Sequence, residues 1–244
     1  MQILSFDSSG YVVQFAFMQD GQILLERNMA PSERNRQESA SSLLPGIDAA
    51  LKQLGWSKKE LDLIVVGVGP GSFTGVRVSV ITARSIGQAL NLGVLPVSSL
   101  ECLASAAPRP SCVILPAGSS KYFAAAYDSN EFCSTLMEPF YGGAEEINSR
   151  LASLSSVQNI LLSPELDQNE FAKDKRKIAY PEGLNFASAA LRLAHARLQA
   201  RPDEFKRDSL CLAYPWDNVL PLYLRSPSVT LKANASSDKT TIGS

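Results

Sequence analysis

Residues 64–77 read IVVGVGPGSFTGVR. The run Leu61–Val68 around its start is almost wholly apolar, as expected of a strand covered on both faces. Gly69-Pro70-Gly71-Ser72-Phe73-Thr74-Gly75 breaks that strand, and Val76–Leu92 has helical periodicity. A strand that hands a Gly-rich loop to a helix start can cradle an anion. Glycines let the backbone approach the ligand, and the first helical amides point outward. The loop lacks the Gly-Lys-Ser/Thr of a P-loop and the spacing of a GxGxxG fingerprint. Taken alone, it fits a structural turn as well as an anion site.

Upstream, Gln2–Asp7, Tyr11–Met18 and Ile23–Met29 are strand-like, and Asp20-Gly21 supplies the positive φ of a hairpin turn. This is a β-meander, not the start of a βαβ nucleotide fold. Leu43, Leu44, Ile47, Leu51 and Leu54 share a helical face that Gly55 ends, and Pro45 implies a kink or a late start. Downstream, Val94–Val97 is a short strand whose Pro96 points to a sheet edge, and Ser98/Ser99 cap a helix from Leu100 to Ala106. The order is β-β-β-α-β-α-β-α. Pro108-Arg109-Pro110 is the boundary candidate. Beyond it, strands at Cys112–Leu115, Tyr122–Tyr127, Phe132–Met137 and Asn159–Leu162, with helices at Ala144–Leu154 and Leu184–Ala200, form a weaker copy of the first lobe. The expected division is a lobe over 1–107, a smaller lobe over 108–225, and a disordered tail over 226–244, where large apolar residues are few.

The chain has 244 residues, 45% of them apolar, and a net charge of −1 from 23 basic and 24 acidic side chains. That balance lacks the basic excess of a nucleic-acid or membrane binder. No run approaches a membrane span and no basic-then-apolar leader opens the chain, so the expected location is cytoplasmic. Cys102, Cys112, Cys133 and Cys211 form no CxxC pair and read as free thiols. His195 is the single histidine; it excludes any two-histidine metal site and reads as structural or surface. No metal site is expected.

The string 64–77 resembles the signature of the TsaB (YeaZ) family, which takes part in making N6-threonylcarbamoyladenosine at position 37 of tRNA. Ile3–Ser9 (ILSFDSS), Leu43-Leu44-Pro45, Val97–Glu101 (VSSLE) and Pro221–Arg225 (PLYLR) are similar to other family segments. Residues 1–107 carry the resemblance well and the second lobe carries it thinly. Two departures stand out. Ser39 sits where the family often has a His, and Ala117–Phe123 lacks an acid and a paired Arg common there. The resemblance implies an actin/hexokinase-type α/β fold of two ribonuclease-H-like lobes, the second reduced. It implies a family-signature loop at Gly69, Pro70, Gly71, Ser72, Phe73, Thr74, Gly75 and Arg77. It also implies a non-catalytic partner of a TsaD-like transferase, for tRNAs reading ANN codons. The complex is expected to use ATP and a divalent metal in partner subunits, with a TsaE-like ATPase beside TsaD. Expected with these are no cofactor in this subunit, homodimerisation as an option for the chain alone, and indirect or weak tRNA contact.

An ATP-dependent kinase or ATPase of the same fold is the alternative. Such enzymes place an acid on the first strand, and Asp7 is there with Ser9 beside it as the nucleotide-proximal candidates. The turn Ser8-Ser9-Gly10 is poor in glycine, and Pro116–Ser120 has no acid, whereas a Mg-nucleotide site needs carboxylates as well as backbone donors. Asp7 then reads as a tether of its own hairpin. On the binding side, Gly75, Ser79, Ala83 and Gly87 recur every four residues, flanked by Val76 and Val80. Such a stripe allows close helix approach. It fits this helix to its own sheet or to a partner, and the resemblance favours a partner interface at Gly75, Val76, Ser79, Val80, Ala83 and Gly87.

Overall fold

The computed structural model describes residues 1–10, 12–29, 36–128, 134–163, 166, 171, 176–179, 183–201 and 207–225. Cys133, Tyr11 and the 226–244 tail lie outside them. The first sheet is built from β1 (Gln2–Asp7), β2 (Val13–Gln19), β3 (Gln22–Met29), β4 (Leu63–Gly67) and β5 (Gly93–Val97) in the order β3-β2-β1-β4-β5. Strands β1, β2 and β3 pair antiparallel, whereas β4 runs parallel to both β1 and β5. The β2–β3 turn is Asp20-Gly21, both at positive φ (48° and 85°), as a two-residue type I′ hairpin requires. Strand β5 is the sheet edge, and its Pro96 is exposed.

The second sheet repeats this plan. Strands β6 (Ser111–Gly118), β7 (Lys121–Tyr127), β8 (Thr135–Gly142), β9 (Asn159–Leu162) and β10 (Lys177–Ala179) take the order β10-β9-β6-β7-β8. Strands β6, β7 and β8 are antiparallel; β6, β9 and β10 are parallel. Two sheets of one topology are the duplicated ribonuclease-H-like core of the actin/hexokinase-type fold. The copy is reduced, with only four residues in β9 and three in β10.

The helices are α1 (Arg36–Leu54), α2 (Phe73–Leu90), α3 (Ser99–Ser105), α4 (Ala144–Ala152), α5 (Phe186–Gln199) and α6 (Arg207–Ala213). Helix α1 does not start late; it carries Pro45 inside it. Side chains alternate across each strand, so each sheet feeds two apolar layers. Leu4, Phe6, Ile64 and Val66 meet Leu43, Ile47 and Leu51 of α1 and Val76, Val80 and Ala83 of α2. Ile3, Leu63 and Val65 face the other way and meet Leu191 and Ala194 of α5, Leu100 and Leu103 of α3, and Val113 and Phe123 of the second sheet. Cys112, Ile114 and Ala124 pack beyond it on Ile147 and Leu151 of α4. The stacking is therefore α1 and α2, first sheet, α3 and α5, second sheet, α4.

The two halves exchange helices. Helix α3 precedes residue 107 and packs on β6 and β7, whereas α5 follows residue 108 and packs on β1, β2 and β4. A polar cluster seats α5: Asn185 Nδ2 donates to Asn28 Oδ1 at 2.8 Å, and the Phe186 amide donates to Gln14 Oε1 at 2.9 Å. Among the described residues no helix is long and apolar enough to cross a membrane.

Candidate functional site

Strand β4 delivers the GPGSFTG loop against the turn that follows β1. The two segments interlock through the backbone. The Ser72 amide donates to Ser9 O at 2.7 Å, and the Ser99 amide donates to Gly69 O at 2.8 Å. The Gly75 amide donates to Ser72 Oγ at 3.4 Å, which caps α2. So amides that an anion would use at Ser72 and Gly75 are engaged within the chain. Gly75 is required here: a Cβ at this position would overlap the Ser8 carbonyl.

Asp7 is 6% exposed at the end of β1. Its Oδ1 accepts the Ser9 amide at 2.5 Å and its Oδ2 accepts the Ser99 hydroxyl at 3.0 Å. Ser9 Oγ and Ser99 Oγ share a further bond at 3.0 Å. Gly67 lies against the carboxylate so closely that a Cβ there would overlap it. Asp7 and Ser9 are thus brought together, as the sequence places them, with the carboxylate tethering its own turn and the start of α3. The described residues contain no group of three or more His, Cys, Asp or Glu side chains placed to hold a metal ion.

The small-residue stripe of α2 requires a correction. Ser79 and Ala83 are 0% exposed, Val76 and Val80 are 2%, and Gly87 is buried. Ser79 Oγ accepts the Ser8 amide at 2.8 Å and pairs with Ser8 Oγ at 2.7 Å. A side chain on Gly87 would run into Val94 and Trp216. Gly75, Val76, Ser79, Val80, Ala83 and Gly87 therefore seat α2 on its own sheet and on the turn after β1. The stripe is an internal contact, not a partner face.

The face of α2 open to solvent is the opposite one. Arg77, Ile81, Ser85 and Gln88 are exposed along it, with Ile81 at 62%. Together with Arg84, Trp216 and Tyr223 they edge an open groove of about 490 Å³. Arg77, the last residue of the signature, lies over the Phe73 ring at 3.9 Å, and its Nε donates to Tyr223 Oη at 2.9 Å. The Phe73 and Tyr223 rings are 5.1 Å apart. Sequence reasoning missed this triad. Its only signals are the i, i+4 spacing of Phe73 and Arg77 and a Tyr in the C-terminal PLYLR segment.

Other singled-out residues stand apart from this site. His195 lies on α5 with its Nε2 2.9 Å from Gln199 Nε2. Cys102 and Cys112 are buried, and Cys211 is half-buried. Glu101 of the VSSLE segment pairs with Arg197 between α3 and α5. Burial pushes the Glu101 carboxyl above its ordinary value, and Arg197 opposes that shift.

Residues 29–212 match the family model described as TsaD: tRNA N6-adenosine threonylcarbamoyltransferase. The tRNA threonylcarbamoyladenosine biosynthesis protein TsaB of Bacillus subtilis is 32% identical over 105 residues, 43% of this chain and 44% of that protein. The chain belongs to the TsaB (YeaZ) family. The Escherichia coli family protein of the same description is 29% identical over 109 residues, 45% of each chain. The chain thus matches less than half the length of these curated relatives. YeaZ from Pseudomonas aeruginosa, a solved structure, has a TM-score of 0.68 at 23% identity, covering 91% of this chain and 99% of that one. That likeness extends the family's fold over the second sheet, where the sequence resemblance is thin.

Proposed function

We propose that the chain acts in tRNA threonylcarbamoyladenosine biosynthesis as a non-catalytic partner subunit of a TsaD-like transferase. One observation carries the non-catalytic reading. The acid that an enzyme of this fold would turn to a metal nucleotide, Asp7, accepts the Ser9 amide and the Ser99 hydroxyl and lies under Gly67. Both oxygens are engaged and the carboxylate is covered. The loop amides of Ser72 and Gly75 also stay within the chain. A phosphate arriving here would have to take the Ser72 and Gly75 amides from their present acceptors, bonds each net worth about 0.5–1.5 kcal/mol, and leave Ser9 O and Ser72 Oγ without those donors.

The partner docks on the outward face of α2, around Ile81 and the groove bounded by Arg77 and Arg84. An exposed Ile between two guanidinium groups suits a helix with an apolar stripe and acidic flanks. The modified tRNAs are those reading ANN codons. ATP and a divalent metal belong to the partner subunits, a TsaE-like ATPase among them, and tRNA contact by this chain is indirect. The test is a reconstituted modification assay with and without the chain, alongside calorimetric titration of the chain alone with Mg-ATP. The expected result is chain-dependent product and no heat of binding. Micromolar Mg-ATP binding by the isolated chain would favour an ATP-dependent enzyme of this fold instead.

A further inference from the structure

The PLYLR segment edges that groove through Tyr223, and its contacts reach both sheets. Val219, 1% exposed, anchors the segment, and its carbonyl accepts from Arg84 Nη1 of α2 at 3.5 Å. The Leu222 amide donates to Val68 O, just past the end of β4, at 2.9 Å. Tyr223 stacks on Phe73 and accepts from Arg77, both on α2. Leu224 packs on the apolar cluster between the sheets. Arg225 Nη1 then donates to Ala117 O of β6 at 2.7 Å. Ala117 adjoins the turn to β7, where Gly118, Ser119 and Ser120 all have positive φ (83°, 54° and 51°). Non-glycine residues reach that region only at a cost, so the turn needs outside support.

We propose that residues 219–225 form a strap that couples the outer face of α2 to the β6–β7 hairpin of the second sheet. The segment is short and anchored at both ends, so Tyr223 and Arg225 cannot shift independently. A ligand or partner that displaces Tyr223 from Phe73 loosens the hold of Arg225 on the Ala117 carbonyl. By reciprocity, loss of the Arg225 bond frees Tyr223. This holds whether or not the chain serves a TsaD-like enzyme, because it concerns the isolated molecule.

Hydrogen–deuterium exchange on the full chain tests it with Tyr223→Ala, Tyr223→Phe and Arg225→Met. None of these removes Val219, Leu222 or Leu224 from the core. Tyr223→Ala should speed exchange at residues 117–123 about five-fold, the scale of one lost hydrogen bond. Arg225→Met should do the same at residues 71–77, at the far end. Tyr223→Phe keeps the stacked ring and should fall between Tyr223→Ala and the parent chain. Changes confined to each variant's own end would overturn the proposal. So would a uniform rise that includes the β2–β3 hairpin, because that would make the segment a general core element, not a coupling strap.

Discussion

Replacing Ser79 by alanine removes a hydroxyl that is 0% exposed at the contact between α2 and the turn after β1. That oxygen accepts the Ser8 amide at 2.8 Å and bonds Ser8 Oγ at 2.7 Å, while the Ser8 hydroxyl donates to Gly75 O at 2.7 Å. Alanine would leave a buried N–H with no acceptor, at a cost of about 1–3 kcal/mol. For a chain of this size each kcal/mol moves the midpoint by about 2–4 °C, so a loss near 2 kcal/mol lowers Tm by about 4–8 °C. Differential scanning calorimetry of the purified chain reads this directly, and partner pull-down at low temperature should remain normal. Ala83→Leu should also lower Tm, because added methylenes in a close-packed site cost about 1–3 kcal/mol. Had the stripe faced a partner, both variants would keep the parental Tm and lose binding. A Tm within about 1 °C of the parent for both would refute the inward assignment.

Three further outcomes follow from the same contacts. Gly75→Ala should cost more than Ser79→Ala, since its Cβ meets the Ser8 backbone and no side chain can swing aside; urea unfolding ranks the two. Asp7→Ala should destabilise the chain by about 2–4 kcal/mol by orphaning the Ser9 amide and the Ser99 hydroxyl, read from the urea midpoint. Arg197→Met should leave Glu101 half-buried without its cation. Glu101 already binds its proton more tightly folded than unfolded, so its contribution to stability is greatest below its unfolded value near 4.5 and falls as pH rises through the higher folded value. Arg197→Met raises the folded value further, so unfolding midpoints should show a larger penalty at pH 7 than at pH 4, about 1–2 kcal/mol after allowing for partial exposure.

Much of the first sheet is legible because its signals are local. Asp20-Gly21 dictates its own hairpin, the Leu61–Val68 run gives the interior strand β4, and Pro96 marks the edge. The α2 stripe shows where local signals stop. A helix apolar nearly all round does not say which face meets its own sheet, and small residues every four positions suit either a strand turn or a second chain. Ser8, Val94 and Trp216, all outside the helix, decide it. Helix α5 is equally clear as a helix, but its place on the first sheet depends on Asn185 meeting Asn28 and on Phe186 meeting Gln14. The Phe73–Arg77–Tyr223 triad joins Arg77 to a residue 146 positions further along the chain, and no periodicity announces such a meeting. Strand β10 is three residues long, too short for any alternation to register.

The most direct test of the account compares Asp7→Ala and Ile81→Glu in a reconstituted threonylcarbamoyladenosine assay with a purified TsaD-like partner. Protein amounts are matched and assembly is measured by sedimentation. Asp7 serves the fold from within, and Ile81, 62% exposed, faces outward on α2. The account predicts that Asp7→Ala assembles and supports a rate within about two-fold of the parent, less than 0.5 kcal/mol of barrier. It predicts that Ile81→Glu stays folded but neither assembles nor supports product. A loss of about 100-fold with Asp7→Ala in an intact complex, or full activity with Ile81→Glu, would contradict it.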